Sequence, residues 1–204
     1  MTNLEKITLE TQMAIRGVGG QWEITTEEVL GENCIVFKNR HRNIGEMLKA
    51  NTSQWAKREC LVLGDNRISY KEMQDRVEST AYRFQSKYGI KKGNRVAILA
   101  ANCPEWVVSF FAATQIGAIV SALNGWWTET EIGHAIELTD PSVIIGDTRR
   151  LARAGSLLNE FPVVDIEDSP DFFEPTGEKA IEIVLDEDCL LYTSDAADEG
   201  LGVE

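Results

Sequence analysis

Apolar and polar positions alternate most legibly between Arg95 and Leu123. The run Arg95-Val-Ala-Ile-Leu-Ala100 is short, apolar and rich in β-branched residues, and predicts a buried strand. Pro104 follows where the first position of a helix tolerates a missing N–H, with Asn102 or Cys103 before it as the cap and Glu105 in the positive first turn. Val107, Phe110, Phe111 and Thr114 recur at helical spacing and predict the buried face of that helix. Gly117 suits its C-terminus. A second apolar run, Ala118 to Leu123, begins at once. Strand, helix and strand in so few residues predict a parallel pair joined by a right-handed crossover. The expected fold is therefore α/β, a largely parallel sheet with flanking helices.

The same reading extends outward. Asn43 to Trp55 predicts a helix with Ile44, Met47, Leu48 and Trp55 on one side. Cys60 to Leu63, the turn Gly64-Asp65-Asn66 and the return at Arg67-Ile68 predict a hairpin. Ser69 to Tyr88 carries an S-x-x-E capping box, Ser69 with Glu72, and a stripe of Met73, Val77, Ala81, Phe84 and Tyr88 before Gly89. Thr128 and Glu131 form a second capping box on a helix running to about Leu138. Asp140-Pro141 stops it, and Ser142 to Ile145 is a third strand. Leu151 to Leu158 predicts another helix and Pro162 to Ile166 a fourth strand. Glu167 to Lys179, with Pro170 and Pro175, reads as acidic loop. Residues 1–35 are mixed, with Thr25-Thr26-Glu27-Glu28 as a candidate helix start and Gly17 to Gly20 as loop.

Charge refines this outline. The net charge of the 204 residues is −13. Ser156 to Glu204 holds fifteen acidic residues and Lys179, a net −14, which leaves +1 for Met1 to Gly155. No basic stripe favours nucleic acid, and the acidic stretch reads as a solvated linker. The four cysteines, Cys34, Cys60, Cys103 and Cys189, form no CxxC pair, so the expectation is reduced thiols, a cytoplasmic protein and no metal site. No apolar run reaches transmembrane length, and the first residues lack a secretory signal.

Candidate chemistry is sparse. Lys91-Lys92-Gly93 could hold a phosphate, but reads more simply as a solvated turn. Trp126-Trp127 lies past the carboxyl end of the second strand, where parallel sheets place ligands. The pair could line a groove, although packing against a neighbouring domain is the favoured reading. His134 reads as a surface residue. There is no G-x-G-x-x-G, Walker loop, H-E-x-x-H or G-x-S-x-G. Pattern alone stops at an α/β domain.

The wording from Ile68 to Asp147 goes further. Ile68-Ser-Tyr-Lys-Glu72, Ile90-Lys-Lys-Gly-Asn-Arg-Val-Ala-Ile98, Asn102-Cys-Pro-Glu-Trp106, Gly117-Ala-Ile-Val120, Leu123-Asn124 and Leu138-Thr-Asp-Pro141, in this order and spacing, closely resemble the N-terminal region of the AMP-forming acyl-CoA synthetases of the adenylate-forming superfamily. Asn124-Gly-Trp-Trp-Thr128 and Phe37-Lys-Asn39 look like its fatty-acid branch. The resemblance implies an incomplete N-terminal subdomain of an adenylate-forming enzyme. It implies ATP, Mg²⁺ and coenzyme A as cofactors for the full-length parent. A carboxylic acid would attack the α-phosphate of ATP, and the thiol of coenzyme A would then attack the acyl-adenylate. The family's phosphate loop and catalytic lysine lie further along, so this chain is expected to contain no catalytic residue and to be inactive alone. Thr193 and Ser194 are the only ATP-binding candidates, because Tyr192-Thr193-Ser194 stands where the phosphate loop would begin.

The residues after Ser194 compromise that position. Asp195 to Glu199 is acidic and would repel phosphate, with no glycine before Gly200. Cys189 to Glu199 resembles, residue for residue, one translated frame of a common transposase sequencing adapter, so Cys189–Glu204 is expected to be foreign read-through. The expected organisation is residues 1–58 as an extension and first helix, 59–166 as the α/β subdomain, 167–188 as an acidic loop and strand, and 189–204 as non-native. Two other readings stand beside the ligase: a stand-alone module binding an acyl group or a partner without chemistry, and another adenylate-forming enzyme, such as an aryl-acid ligase or a peptide-synthetase adenylation domain. The sequence leaves the oligomeric state open.

Overall fold

The computed structural model describes residues 3–29, 31–185 and 191–193. They fall into two compact units, Met1–Arg42 and Asn43–Glu204.

The first unit is a helix, α1 (Asn3–Arg16), followed by a hairpin of β1 (Ile24–Val29) and β2 (Glu32–Phe37). Thr25 to Glu28 is thus strand, where the sequence predicts a helix start. Ile24, Thr25 and Thr26 are β-branched and face Phe37, Val36 and Ile35 across the antiparallel pair, and this cross-strand pairing outweighs the local capping signal. Trp22 meets Phe37 edge-on at 5.6 Å.

The second unit opens with α2 (Ile44–Trp55), capped by Asn43, whose Oδ1 accepts the Glu46 N–H at 2.9 Å. A hairpin of β3 (Glu59–Leu63) and β4 (Asn66–Ser69) turns at Gly64 with φ 59°. Helix α3 (Tyr70–Tyr88) starts at the expected capping box. The Ser69 hydroxyl accepts the Glu72 N–H, and the Glu72 carboxylate accepts the Ser69 N–H at 2.8 Å. Met73, Val77, Ala81 and Phe84 are fully buried.

Alternation of strand and helix then builds the sheet: β5 (Arg95–Leu99), α4 (Pro104–Gln115), β6 (Ile119–Ala122), α5 (Glu129–Thr139), β7 (Val143–Gly146), α6 (Thr148–Ala154), β8 (Val163–Asp165) and β9 (Leu191–Thr193). The order across the sheet is β8-β7-β5-β6-β9, and every neighbouring pair is parallel. Val96 stands opposite Val120 on one side and Val143 on the other. Side chains alternate between two faces. Val96, Ile98, Val120, Val143 and Ile145 pack with α3 and α4. Ala97, Leu99 and Ile144 pack with Ile132 and Ile136 of α5 and Leu151 of α6.

Two predicted elements shift. On α4 the buried stripe is Val108, Ala112, Ala113 and Thr114, while Val107, Phe110 and Phe111 are only half-buried. The helix lies close to α3 and the sheet, so small residues face inward and the aromatic rings flank the seam, Trp106 stacked on Phe110 at 5.7 Å. The helix predicted over Leu151–Leu158 instead starts at Thr148, because Asp147 caps it, and after Ala154 it tightens to a 3₁₀ turn over Gly155–Leu158.

The stretch after β8 is more than solvated loop. A 3₁₀ turn at Pro170–Phe173 buries Phe172 and Phe173. Phe172 lies 5.7 Å from the Phe84 ring and 5.9 Å from that of Tyr88.

Candidate functional site

The carboxyl ends of the parallel strands converge on one edge of the sheet, the position at which open α/β sheets place ligands. Three chain segments meet there: Ala100-Ala101 after β5, Asn124 to Trp127 after β6, and Asp147 after β7. Sequence pattern forces each to turn at this point, because an apolar run ends and a capped helix begins.

Asp147 ties them together. It is largely buried, and its carboxylate accepts the Ala101 N–H at 2.8 Å, the Arg150 N–H at 2.9 Å and the Arg150 Nη1 at 2.7 Å. Burial opposes its charge. The hydrogen bonds from Ala101 and Arg150, with the charge of Arg150, outweigh that penalty and hold the carboxyl below its ordinary value. The Arg150 side chain in turn lies on the backbone of Gly125, where a Cβ would stand 2.3 Å from its Nε. One helical turn on, Arg153 Nη1 donates to the Gly125 carbonyl at 2.8 Å and the Trp127 carbonyl at 3.1 Å. Asn124 closes the loop locally, its Oδ1 accepting the Trp126 N–H at 2.9 Å. In the resulting loop Trp127 is half-buried against the core cluster that contains Leu123 and Ile132, while Trp126 is 80% exposed.

The predicted residues distribute unevenly over this edge. Thr193 is the last residue of β9, in register with Ala122 of β6, so it stands at the carboxyl edge beside the Asn124 loop. Ser194 lies outside the described residues. Lys91 and Lys92 precede β5 and therefore sit at the opposite, amino edge, apart from the strand ends. A cleft of about 330 Å³ opens at that amino edge, between Asn43, Lys49, Gln115 and the segment 180–185. His134 is exposed on α5, as expected. Asp147, Arg150 and Arg153 were not singled out by sequence reasoning; the available signal was an aspartate between an apolar strand and a helix, the N-cap position.

Among the described residues no group of three or more His, Cys, Asp or Glu is placed to hold a metal ion. Cys34, Cys60 and Cys103 are free thiols. Burial pushes the Cys103 thiol up to about 11, which makes it a poor nucleophile at neutral pH. No described helix is long and apolar enough to cross a membrane. The carboxyl edge is thus a frame positioned by Asp147, Arg150 and Arg153.

Comparison with known proteins identifies the frame. The profile of the AMP-binding enzyme family matches residues 48–196. The chain belongs to that family. It is 36% identical over 99 residues to the acyl-CoA ligase sidI of Aspergillus fumigatus, covering 48% of this chain and 17% of the relative. It is 24% identical over 107 residues to the long-chain-fatty-acid–CoA ligase of Escherichia coli O6:H1, covering 52% and 19%. The chain therefore spans about a fifth of the length of these curated relatives. Among solved structures, the anthranilate CoA ligase AuaEII in complex with anthranoyl-AMP superposes with a TM-score of 0.62 at 21% identity, covering 69% of this chain and 29% of that one. The N-terminal subdomain of Klebsiella oxytoca NpsA superposes with a TM-score of 0.60 at 20% identity, covering 71% and 36%. The fold of this AMP-binding family member is that of the N-terminal subdomain of adenylate-forming enzymes.

Proposed function

We propose that the chain is the N-terminal part of an ATP-dependent, AMP-forming acid–thiol ligase that activates a fatty acid to an acyl-adenylate and then to its coenzyme A thioester. The observation that carries this reading is the family match across residues 48–196, which embraces the whole parallel sheet. The names of the relatives, acyl-CoA ligase and long-chain-fatty-acid–CoA ligase, support the acid class, as does the Asn124-Gly-Trp-Trp-Thr128 run. The free thiols support a reducing, cytoplasmic setting.

In the proposed reaction a carboxylate oxygen bonds to the α-phosphorus of ATP and pyrophosphate leaves. The sulfur of coenzyme A then bonds to the acyl carbon and AMP leaves. Mg²⁺ would neutralise phosphate charge, but the described residues offer no donor cluster for it. What this chain supplies is orientation: Asp147, Arg150 and Arg153 fix the loops at the carboxyl edge, beside the strand after which the phosphate loop would begin. We further propose that Cys189–Glu204 is adapter-encoded, so that the native loop is replaced at Thr193 and Ser194.

The test is ATP–pyrophosphate exchange with acetate, dodecanoate, palmitate and 4-hydroxybenzoate. It uses the protein encoded by the gene recovered from source DNA and, separately, the 204-residue chain. The recovered enzyme is expected to exchange with the long acids and the short chain with none. Preference for 4-hydroxybenzoate would move the assignment to an aryl-acid ligase. Exchange by the 204-residue chain would overturn its inactivity. Saturable dodecanoate binding to the chain, without exchange by either protein, would favour a non-catalytic acyl-binding module.

A further inference from the structure

The β1–β2 hairpin of the first unit has two unlike faces. Thr25, Glu27 and Val29 are half-buried with Cys34 and Val36, whereas Ile24, Thr26, Ile35 and Phe37 are exposed. Ile24 stands directly opposite Phe37, and Thr26 opposite Ile35. The solvated face therefore carries Ile24, Phe37 and Ile35 side by side, with Ile35 76% exposed. At one end this face runs into a groove. The Trp22 N–H donates to the Ile15 carbonyl at 2.9 Å, which ties the start of the hairpin to the last turn of α1. The Trp22 ring meets Phe37 edge-on. Here a cavity of about 430 Å³ is lined by Gln12, Ile15, Arg16, Trp22 and Phe37, within the roughly 300–1,000 Å³ range of small-molecule sites.

Ile15, Trp22 and Phe37 give the groove apolar walls. Among the described residues that line it, Arg16 alone is charged, and its guanidinium makes no hydrogen bond or ion pair with any described residue. The hairpin carboxylates of Glu23 and Glu27 are taken by Lys38 and by Arg40 with Arg42. An unpaired guanidinium beside an apolar groove complements an anionic head on a hydrocarbon chain. We propose that the groove binds a free medium- or long-chain fatty acid. The carboxylate pairs with Arg16, and the chain lies over Trp22 and Phe37 and on toward Ile24 and Ile35, which extends the apolar track by about 7 Å along β2. Residues 1–42 hold six acidic and five basic residues, so net charge does not draw this unit to an anionic bilayer, and a single cation at the groove favours a single acid. The site rests on its own walls and charge and not on the proposed ligase reaction.

The test is titration of the 204-residue chain with dodecanoate below its micelle concentration. Binding is read by calorimetry and by the indole N–H resonance of Trp22, which Trp22→Phe identifies. Dodecanoate should bind saturably and shift that resonance. Arg16→Gln should weaken binding on the order of tenfold; because Arg16 is exposed and unpartnered, this variant tests binding rather than folding. Dodecanol, which lacks the carboxylate, should bind the parent about as weakly as dodecanoate binds Arg16→Gln, and should bind both proteins alike. Octanoate, with a shorter chain to bury, should bind on the order of tenfold more weakly than dodecanoate. Absence of saturable binding, a Trp22 resonance that does not move, or equal affinity in parent and Arg16→Gln overturns the proposal. Two results would overturn it by naming another occupant. One is sedimentation with phosphatidylcholine vesicles, abolished by Trp22→Ser, without dodecanoate binding. The other is self-association, abolished by the same variant, that dodecanoate does not reverse.

Discussion

The carboxylate of Asp147 accepts the main-chain N–H of Ala101 at 2.8 Å, across 46 positions of sequence. Two strand ends are thereby fastened by one side chain that also caps the next helix. Asp147→Ala leaves the Ala101 N–H and the Arg150 guanidinium without their acceptor, and should cost about 2–4 kcal/mol in urea unfolding. Asp147→Asn, which retains one acceptor oxygen, should cost less. Because the folded-state pKa is depressed below the ordinary aspartate value near 3.8, this stabilisation is fully present above that value. It is lost as pH falls through the folded pKa. Urea midpoints should therefore differ between parent and Asp147→Ala at pH 6 and converge in acid.

Gly125 is required by Arg150 rather than by its own backbone. Its φ is not in the left-handed region, yet a Cβ would stand 2.3 Å from Arg150 Nε and 3.1 Å from Cδ. The guanidinium cannot simply swing away without releasing Asp147. Gly125→Ala should destabilise by about 1–3 kcal/mol. In the background of Arg150→Ala the same substitution should cost much less, and a double-mutant cycle measures the difference.

On the opposite face of the sheet, Phe84 is fully buried and touches Phe172 at 5.7 Å. It joins α3 to the 3₁₀ turn at Pro170–Phe173. Phe84→Ala should cost about 3–5 kcal/mol, as large core truncations do. Phe84→Leu should cost appreciably less, read from denaturant midpoints at constant slope.

In the first unit, Glu27 is gripped by Arg40 at 2.8 Å and Arg42 at 2.9 Å. Hydrogen bonds from Arg40 and then Arg42 lower its pKa to about 2. A depressed carboxyl stabilises the charged form, so the grip is intact above the ordinary glutamate value and is released only as pH falls toward 2. A carboxyl-carbon NMR titration should place the Glu27 midpoint near 2, and Arg40→Ala with Arg42→Ala should return it toward 4.5, the unperturbed value.

The spine of this fold was legible because its signals are local. Apolar runs, Pro104, Gly117 and two capping boxes mark where β5, α3, α4, β6 and α5 begin or end. What misled was non-local. The rings of Phe110 and Phe111 outweigh Ala112 and Ala113 in any hydrophobicity reading, but close approach of α4 to the sheet selects the alanines. Thr25 to Glu28 carries helix-start residues, and only its partners in Ile35 to Phe37 make it a strand. The carboxyl-edge clamp depends on Asp147 meeting Ala101, and the path of the chain along α3 on Gln85 meeting Ile181, 96 positions apart. Neither pairing leaves a periodic trace. The family wording from Ile68 to Asp147 was readable without any of these contacts, because it is a series of short local motifs.

β9 contains Leu191, Tyr192 and Thr193, inside the stretch that resembles translated adapter. Tyr and Thr have high strand propensity, which is enough for the triplet to pair with Val120, Ser121 and Ala122, so pairing at this edge does not require a native sequence. Asp195, Asp198 and Glu199, which lie outside the described residues, follow in sequence, and three carboxylates are the opposite of the backbone N–H groups and cation that ATP phosphates need. Re-amplifying the gene from source DNA and reading through the Asp188 codon should reveal a frame that continues into a Gly-, Ser- and Thr-rich stretch containing a lysine. A native frame that instead encodes Cys189 to Glu204 and stops would remove the phosphate loop from the protein, and with it the ligase, leaving ligand-binding assays on the 204-residue chain as the route to its function.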